Sequence, residues 1–237
     1  MKNLKPYSLI LMLTLALFAS CKKDRNIPQP KEPEKIDPME MATDSASLVI
    51  DGNTYTFNNI YVRKNSNTDA KCKVDSIVNG YQYYISGPKD LVYFGREFSF
   101  SGDKTDITLS LGFYKVYNKA NAKKEGLLYY PIDRDAFFEP GERNFALDHQ
   151  RENGTDGITL TIRGYGKSFS DESLGRPTTI TQDKLKDARF EITNFTKLKN
   201  GTYLLEAKFA KAVVFGEQEQ PKTIDKGYVR LIVTWLI

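Results

Sequence analysis

Ile107-Thr108-Leu109-Ser110-Leu111-Gly112-Phe113 alternates apolar with small or polar residues without a break. Successive side chains of a strand point to opposite faces, so Ile107, Leu109, Leu111 and Phe113 enter a core together while Thr108, Ser110 and Gly112 take the other face. Ile158, Leu160 and Ile162 oppose Thr159, Thr161 and Arg163 in the same way. Further along, Val229, Leu231, Val233, Trp235 and Ile237 oppose Tyr228, Arg230 and Thr234. Runs at 47–51, 54–62, 81–86, 92–100, 189–195 and 203–215 carry the same signal with looser phase. Between them lie Asp51-Gly52, Asn153-Gly154, Asp156-Gly157 and Asn200-Gly201, pairs that favour turns. The first predicts a hairpin joining 47–51 to 54–62.

Helix signals are short. Asn118–Gly126 suits a turn or two ending on Gly126, and Thr181–Ala188 suits a short helix capped by Thr181 or Asp183. Neither carries an apolar stripe long enough for a core helix. Many strands with short turns predict an all-β domain over residues 46–237, an antiparallel β-sandwich, with an up-and-down or partly open β-barrel as the second choice.

The chain begins differently. Lys2 and Lys5 precede an apolar run from Leu9 to Ala19, too short for a comfortable membrane span of about 20 residues but right for a secretory signal over residues 1–20. Its end, Phe18-Ala19-Ser20-Cys21, resembles a bacterial lipobox, with Phe18 where Leu, Val or Ile is usual. The resemblance implies cleavage before Cys21 and acylation of that cysteine, hence a membrane partner through the lipid. Residues 21–45 then read as a tether: Pro28, Pro30, Pro33 and Pro38 among charged residues, with little to bury. As a flexible coil it spans on the order of 25–30 Å.

Formal charge is +4, falling to about +2 once Lys2 and Lys5 leave, so a concentrated basic face for nucleic acid is not expected. With Cys21 acylated, only Cys72 remains, and no intramolecular disulfide can form. Cys72 reads either as a thiol activated by Lys71 and Lys73 or as a half-buried strand residue.

Catalytic signals are thin. His149 is the single histidine, which excludes a multi-histidine metal site within the chain; it falls in a polar stretch, Asp148-His149-Gln150-Arg151-Glu152, that reads as a solvated loop. Phosphate-loop, dinucleotide and nucleophile-elbow motifs do not occur, and neither a cofactor nor a metal is expected. A carboxylate-dependent hydrolase needs two acids about 5–10 Å apart in a cleft; Asp133-Arg134-Asp135 is the tightest acid cluster, followed by Phe137–Glu142, and it reads as a solvated, turn-making loop. The sequence points to a non-enzymatic module.

Tyrosine is the suggestive surplus, with 14 Tyr against one Trp. Tyr84, Tyr114, Tyr165 and Tyr228 fall on the polar phase of their runs, where rings either meet a ligand such as a glycan or simply line a half-exposed sheet. Trp235 shares the core phase and reads as packing.

Three segments together resemble small lipoproteins of the Bacteroidota: the Ala19-Ser20-Cys21-Lys22-Lys23-Asp24 start with its proline-rich tether, the opening run Ala46–Gly52, and the closing runs Phe190–Phe195, Gly201–Phe209 and Ile224–Arg230. In that family the closing strands complete a β-sandwich and functions are mostly unassigned. The resemblance implies an envelope location, outer membrane with the face undecided, and a protein or glycan partner there. It also makes Asp44-Ser45-Ala46 a sequon for O-glycosylation at Ser45; Asp75-Ser76-Ile77 has the same form.

Overall fold

The computed structural model describes residues 37–102, 106–169, 180–216 and 220–235. Cys21, the signal segment and residues 22–36 of the expected tether lie outside them. Among the described residues are fourteen strands: β1 Ser45–Ile50, β2 Asn53–Thr68, β3 Lys73–Val78, β4 Tyr81–Ile85, β5 Leu91–Gly102, β6 Thr108–Asn118, β7 Ala122–Glu125, β8 Leu128–Pro131, β9 Gly141–Glu142, β10 Gly157–Ile162, β11 Gly166–Lys167, β12 Arg189–Lys197, β13 Tyr203–Phe215 and β14 Pro221–Val233.

The protein is all-β, but the sheet closes on itself. Around the ring the order is β1-β2-β5-β6-β10-β11-β13-β14 and back to β1, with every neighbouring pair antiparallel. The eight strands follow one another in chain order, so this is a meandering barrel and the expected sandwich is corrected to the second choice. The physical reason is lateral closure: β14 pairs β1 over Ser45–Ile50, and Lys167 of β11 pairs Phe215 of β13. Alternating phase specifies two faces for each strand and is silent on whether the edges meet.

Eight strands leave an interior that side chains fill. Leu48, Ile50, Phe98, Phe100, Leu109, Leu111, Ile158, Leu160, Leu231 and Val233 are all essentially sealed from solvent there. The phase read from 107–113 and 229–233 is therefore the barrel's inner face. Asp51 and Gly52 take φ of 51° and 74°, the paired positive angles of a tight two-residue hairpin turn between β1 and β2.

We call upper the end holding Thr68, Leu91, Asn118, Tyr203 and Val233, and lower the end holding Ile50, Gly102, Ile162 and Phe215. Aromatic packing plugs the upper end: Tyr130 and Phe137 lie 5.5 and 5.3 Å from Phe94, and Trp235 lies 5.5 Å from Phe138. Two arginines fasten the last described residues across this plug. Buried Arg96 donates to Asn65 Oδ1 at 2.8 Å and to the Thr234 carbonyl at 2.7 Å. Arg134 donates to the Trp235 carbonyl at 3.2 Å and forks onto Glu125 at 2.8 and 2.9 Å. Burial and the neighbouring Arg63 pull the Arg96 guanidinium down to about 10.

Three excursions leave the ring. The β3–β4 and β7–β8 hairpins are separate two-stranded sheets, and β12 with β9 extends the main sheet beyond the upper part of β13. The helix expected at Asn118–Gly126 is one 3-10 turn, Lys119–Asn121, capped by the Asn118 side chain; Gly126, with φ of 62°, then turns the β7–β8 hairpin. At Thr181 the expected helix is a 3-10 turn, Gln182–Leu185.

The folded body begins before residue 46. Residues 38–41 form a 3-10 turn, Glu40 accepts from Lys199 N at 2.6 Å, and Asp44 accepts from Ile232 N at 2.7 Å and pairs with Arg63.

Candidate functional site

A groove of about 620 Å³ lies on the outer face of β1, β14, β13 and β12. Register builds it. Val49 faces Lys226, Lys226 faces Ala210, and Ala210 faces Arg189, forming one row across four strands. The next row runs Ser47, Tyr228, Lys208, Glu191. Ala210 is the short residue at the centre of long ones, so the face dips there. Its lining is mainly apolar, from Val49, Ala210 and the stems of Lys208 and Lys226, with the charged heads around the rim.

The rim is cationic. Arg189, Lys208 and Lys226 stand against one acid, Glu191. Neither Lys208 nor Lys226 has an ion-pair partner among the described residues. Arg189 is steadied by the carbonyls of Lys186 and Ala188, both at 2.9 Å. Tyr228 flanks the groove, and its hydroxyl donates to Glu206, which also accepts from Asn194 at 3.2 Å and Arg230 at 3.3 Å. These three donors, the tyrosine first, hold the Glu206 carboxyl below the ordinary carboxylate range; burial and that same hydrogen bond raise the Tyr228 hydroxyl. Tyr228 thus presents a fixed ring edge.

The other expected tyrosines lie elsewhere. Tyr165, near the lower end of the barrel, shares a 2.6 Å hydrogen bond with the Tyr55 hydroxyl, which pushes it up to about 12. Tyr114 is buried: its ring lies over Gly95 and Gly112, stacks on Tyr93 at 5.2 Å and meets His149 at 4.0 Å. Its phase is outward as read, but the 144–156 loop folds over it. Tyr84 belongs to β4, and its side chain lies outside what is described. Tyr114, Tyr228 and Tyr165 belong to the linings of three different cavities. The groove's lysines carried no signal in the sequence beyond ordinary strand alternation.

His149, expected in solvent, is only 8 % exposed, with Nδ1 unpartnered between Tyr114 and Phe169. Burial, with Lys64 and Lys167 adding to it, lowers its pKa to about 4. Cys72 is half-buried, its thiol 3.5 Å from the Asp69 carbonyl. Ser45 opens β1 opposite Arg230, half-buried.

Carboxylates gather in a smaller cavity of about 230 Å³ lined by Glu139, Glu142 and Asp156 with Arg143 among them. Asp156 is committed to Val116 N at 2.7 Å, and Arg143 to the carbonyls of Glu139 and Glu142. No grouping of three metal-ligating side chains occurs among the described residues.

No known family, curated protein or solved structure matches the chain.

Proposed function

We propose that this protein is a non-enzymatic binding module of the bacterial envelope, lipid-anchored at Cys21, whose ligand site is the outer groove and whose ligand is an acidic saccharide. The single observation that carries the binding reading is the groove's make-up: an apolar floor around Ala210 under three cations and one acid. Apolar floors accept the C–H faces of sugar rings, while Lys and Arg hold carboxylate or sulfate groups. Lys226 and Arg189 stand two strand spacings apart, about 10 Å, which suits acid groups on alternate residues of an extended glycan. Tyr228 is the one expected tyrosine this reading keeps.

The test is titration of the protein with carboxylated, sulfated and neutral oligosaccharides. Binding should favour the acidic ones, weaken with added salt, and fall at least about tenfold in a Lys208→Glu/Lys226→Glu variant. Equal binding of the neutral ligands, or none across the panel, removes the groove reading. The anchor is tested separately: Cys21→Ala should move the protein to the soluble envelope fraction, and retention in the membrane would end that part of the proposal.

A further inference from the structure

The barrel's two ends are chemically unlike. Of the large apolar side chains exposed among the described residues, only Tyr61 lies along the wall; Met41, Val78, Tyr81, Tyr83, Ile85, Leu127 and Ile132 all gather at the upper end. Most stand on two hairpins. In the β3–β4 hairpin, Asn79 and Gly80 turn the chain with φ of 52° and 79°, and Tyr81, Tyr83 and Ile85 follow at alternate positions on one face. In the β7–β8 hairpin Leu127 sits at the turn and is 92 % exposed. At the lower end the described turns carry Asp51, Gly52, Arg163 and Gly164 instead. Clustered exposed apolar groups mark a surface that is covered in use.

We propose that the upper end rests in the interfacial layer of a lipid bilayer, with the β3–β4 and β7–β8 tips inserted among the headgroups. Chain entry selects this occupant. Asp44, bonded to Ile232 N and paired with Arg63, brings the N-terminal segment into the body at the same upper end, as does Glu40 on Lys199. Cys21 precedes Asp37 by sixteen residues, a reach of at most about 55 Å, so an anchor there keeps this end near the bilayer. The shape agrees: separate tips suit a deformable surface, and tyrosine, apolar in body and polar at its hydroxyl, suits the headgroup level. Lys119 and Lys124 lie over the Tyr129 ring at 5.3 and 5.7 Å beside the second tip, placed for lipid phosphates. The proposal rests on the Cys21 reading only for the bilayer's nearness.

The acylated protein is reconstituted into phosphatidylethanolamine–phosphatidylglycerol vesicles containing bromolipids, as Tyr81→Trp and Leu127→Trp variants. Quenching of each new tryptophan above the Trp235 baseline is expected. In parallel, the mature chain carrying Cys21→Ala should bind vesicles weakly, and Leu127→Ser should lower that binding about tenfold. Absence of quenching at both tips in vesicle-bound acylated protein overturns the proposal and leaves the anchor standing. Quenching alongside membrane retention that ignores Cys21→Ala supports it and sinks the anchor. Self-association in solution that Leu127→Ser abolishes, without vesicle binding, assigns the patch to a second copy and also overturns it.

Discussion

Acidifying the protein should strip stability from it through one residue. His149 is sealed between Tyr114 and Phe169, and its pKa of about 4 lies below the ordinary 6.5 because burial disfavours the charged ring. The unfolded chain therefore binds more protons between those values. The contribution is fully present above pH 6.5 and is lost as pH falls towards 4. Each pKa unit is worth 1.36 kcal/mol, so the whole window amounts to about 3 kcal/mol, and most of it is gone by about pH 4.5. The assay is urea denaturation of the parent and of His149→Gln, each at about pH 7.5 and about pH 4.5. Other groups titrate alike in both proteins, so the difference of differences isolates His149. The parent should lose about 2–3 kcal/mol more than the variant. Parallel losses, within about 0.5 kcal/mol, would show that the imidazole is solvated and that the loop over Tyr114 is open.

Gly95→Ala should cost about 1–3 kcal/mol, because its Cβ would stand 2.2 Å from the Tyr114 ring; a double-mutant cycle with Tyr114→Leu should recover most of that loss. Gly166→Ala, with φ of 134° and its Cβ 2.1 Å from the Phe215 carbonyl, should open the β11–β13 seam, seen as faster amide exchange at Lys167 and Phe215 and a lower melting temperature. Arg96→Met should destabilise by about 2–3 kcal/mol in thermal or urea denaturation, since it leaves Asn65 and the Thr234 carbonyl without their donor in the upper plug. Glu206→Gln should cost about 1 kcal/mol through its weakened bonds to Tyr228 and Arg230, measured the same way.

Strand phase carried far in this chain because each strand of the barrel has one face in a single core. Leu109, Leu111 and Phe113 sit inward as read, β13 spans the run read at 203–215, and Asp51-Gly52 makes the turn it promised. Closure was illegible, because it depends on β1 meeting β14 across almost the whole body. Tyr114 and His149 show the second limit: alternation gives a direction, and a loop arriving later decides whether that direction ends in water. The β3–β4 hairpin had a signal in Asn79-Gly80, the strongest short-range hairpin dipeptide, which outweighs the irregular phase of its strands. In the groove, ordinary lysines and one alanine gain meaning only from register.

The pairing of β1 with β14 also fixes an order of events. Half of the ring's neighbouring pairs, β1–β2, β5–β6, β10–β11 and β13–β14, are close in sequence and can form as the chain is made, but Ser45–Ile50 must wait for residues 224–230. Until they arrive, one edge of β1 offers unpaired amides and carbonyls while its partner β2 is already in place. A chain made from its N-terminus thus holds an open sheet for most of its synthesis and becomes a barrel in a last step. Truncation anywhere before β14 leaves a sticky edge rather than a smaller stable protein.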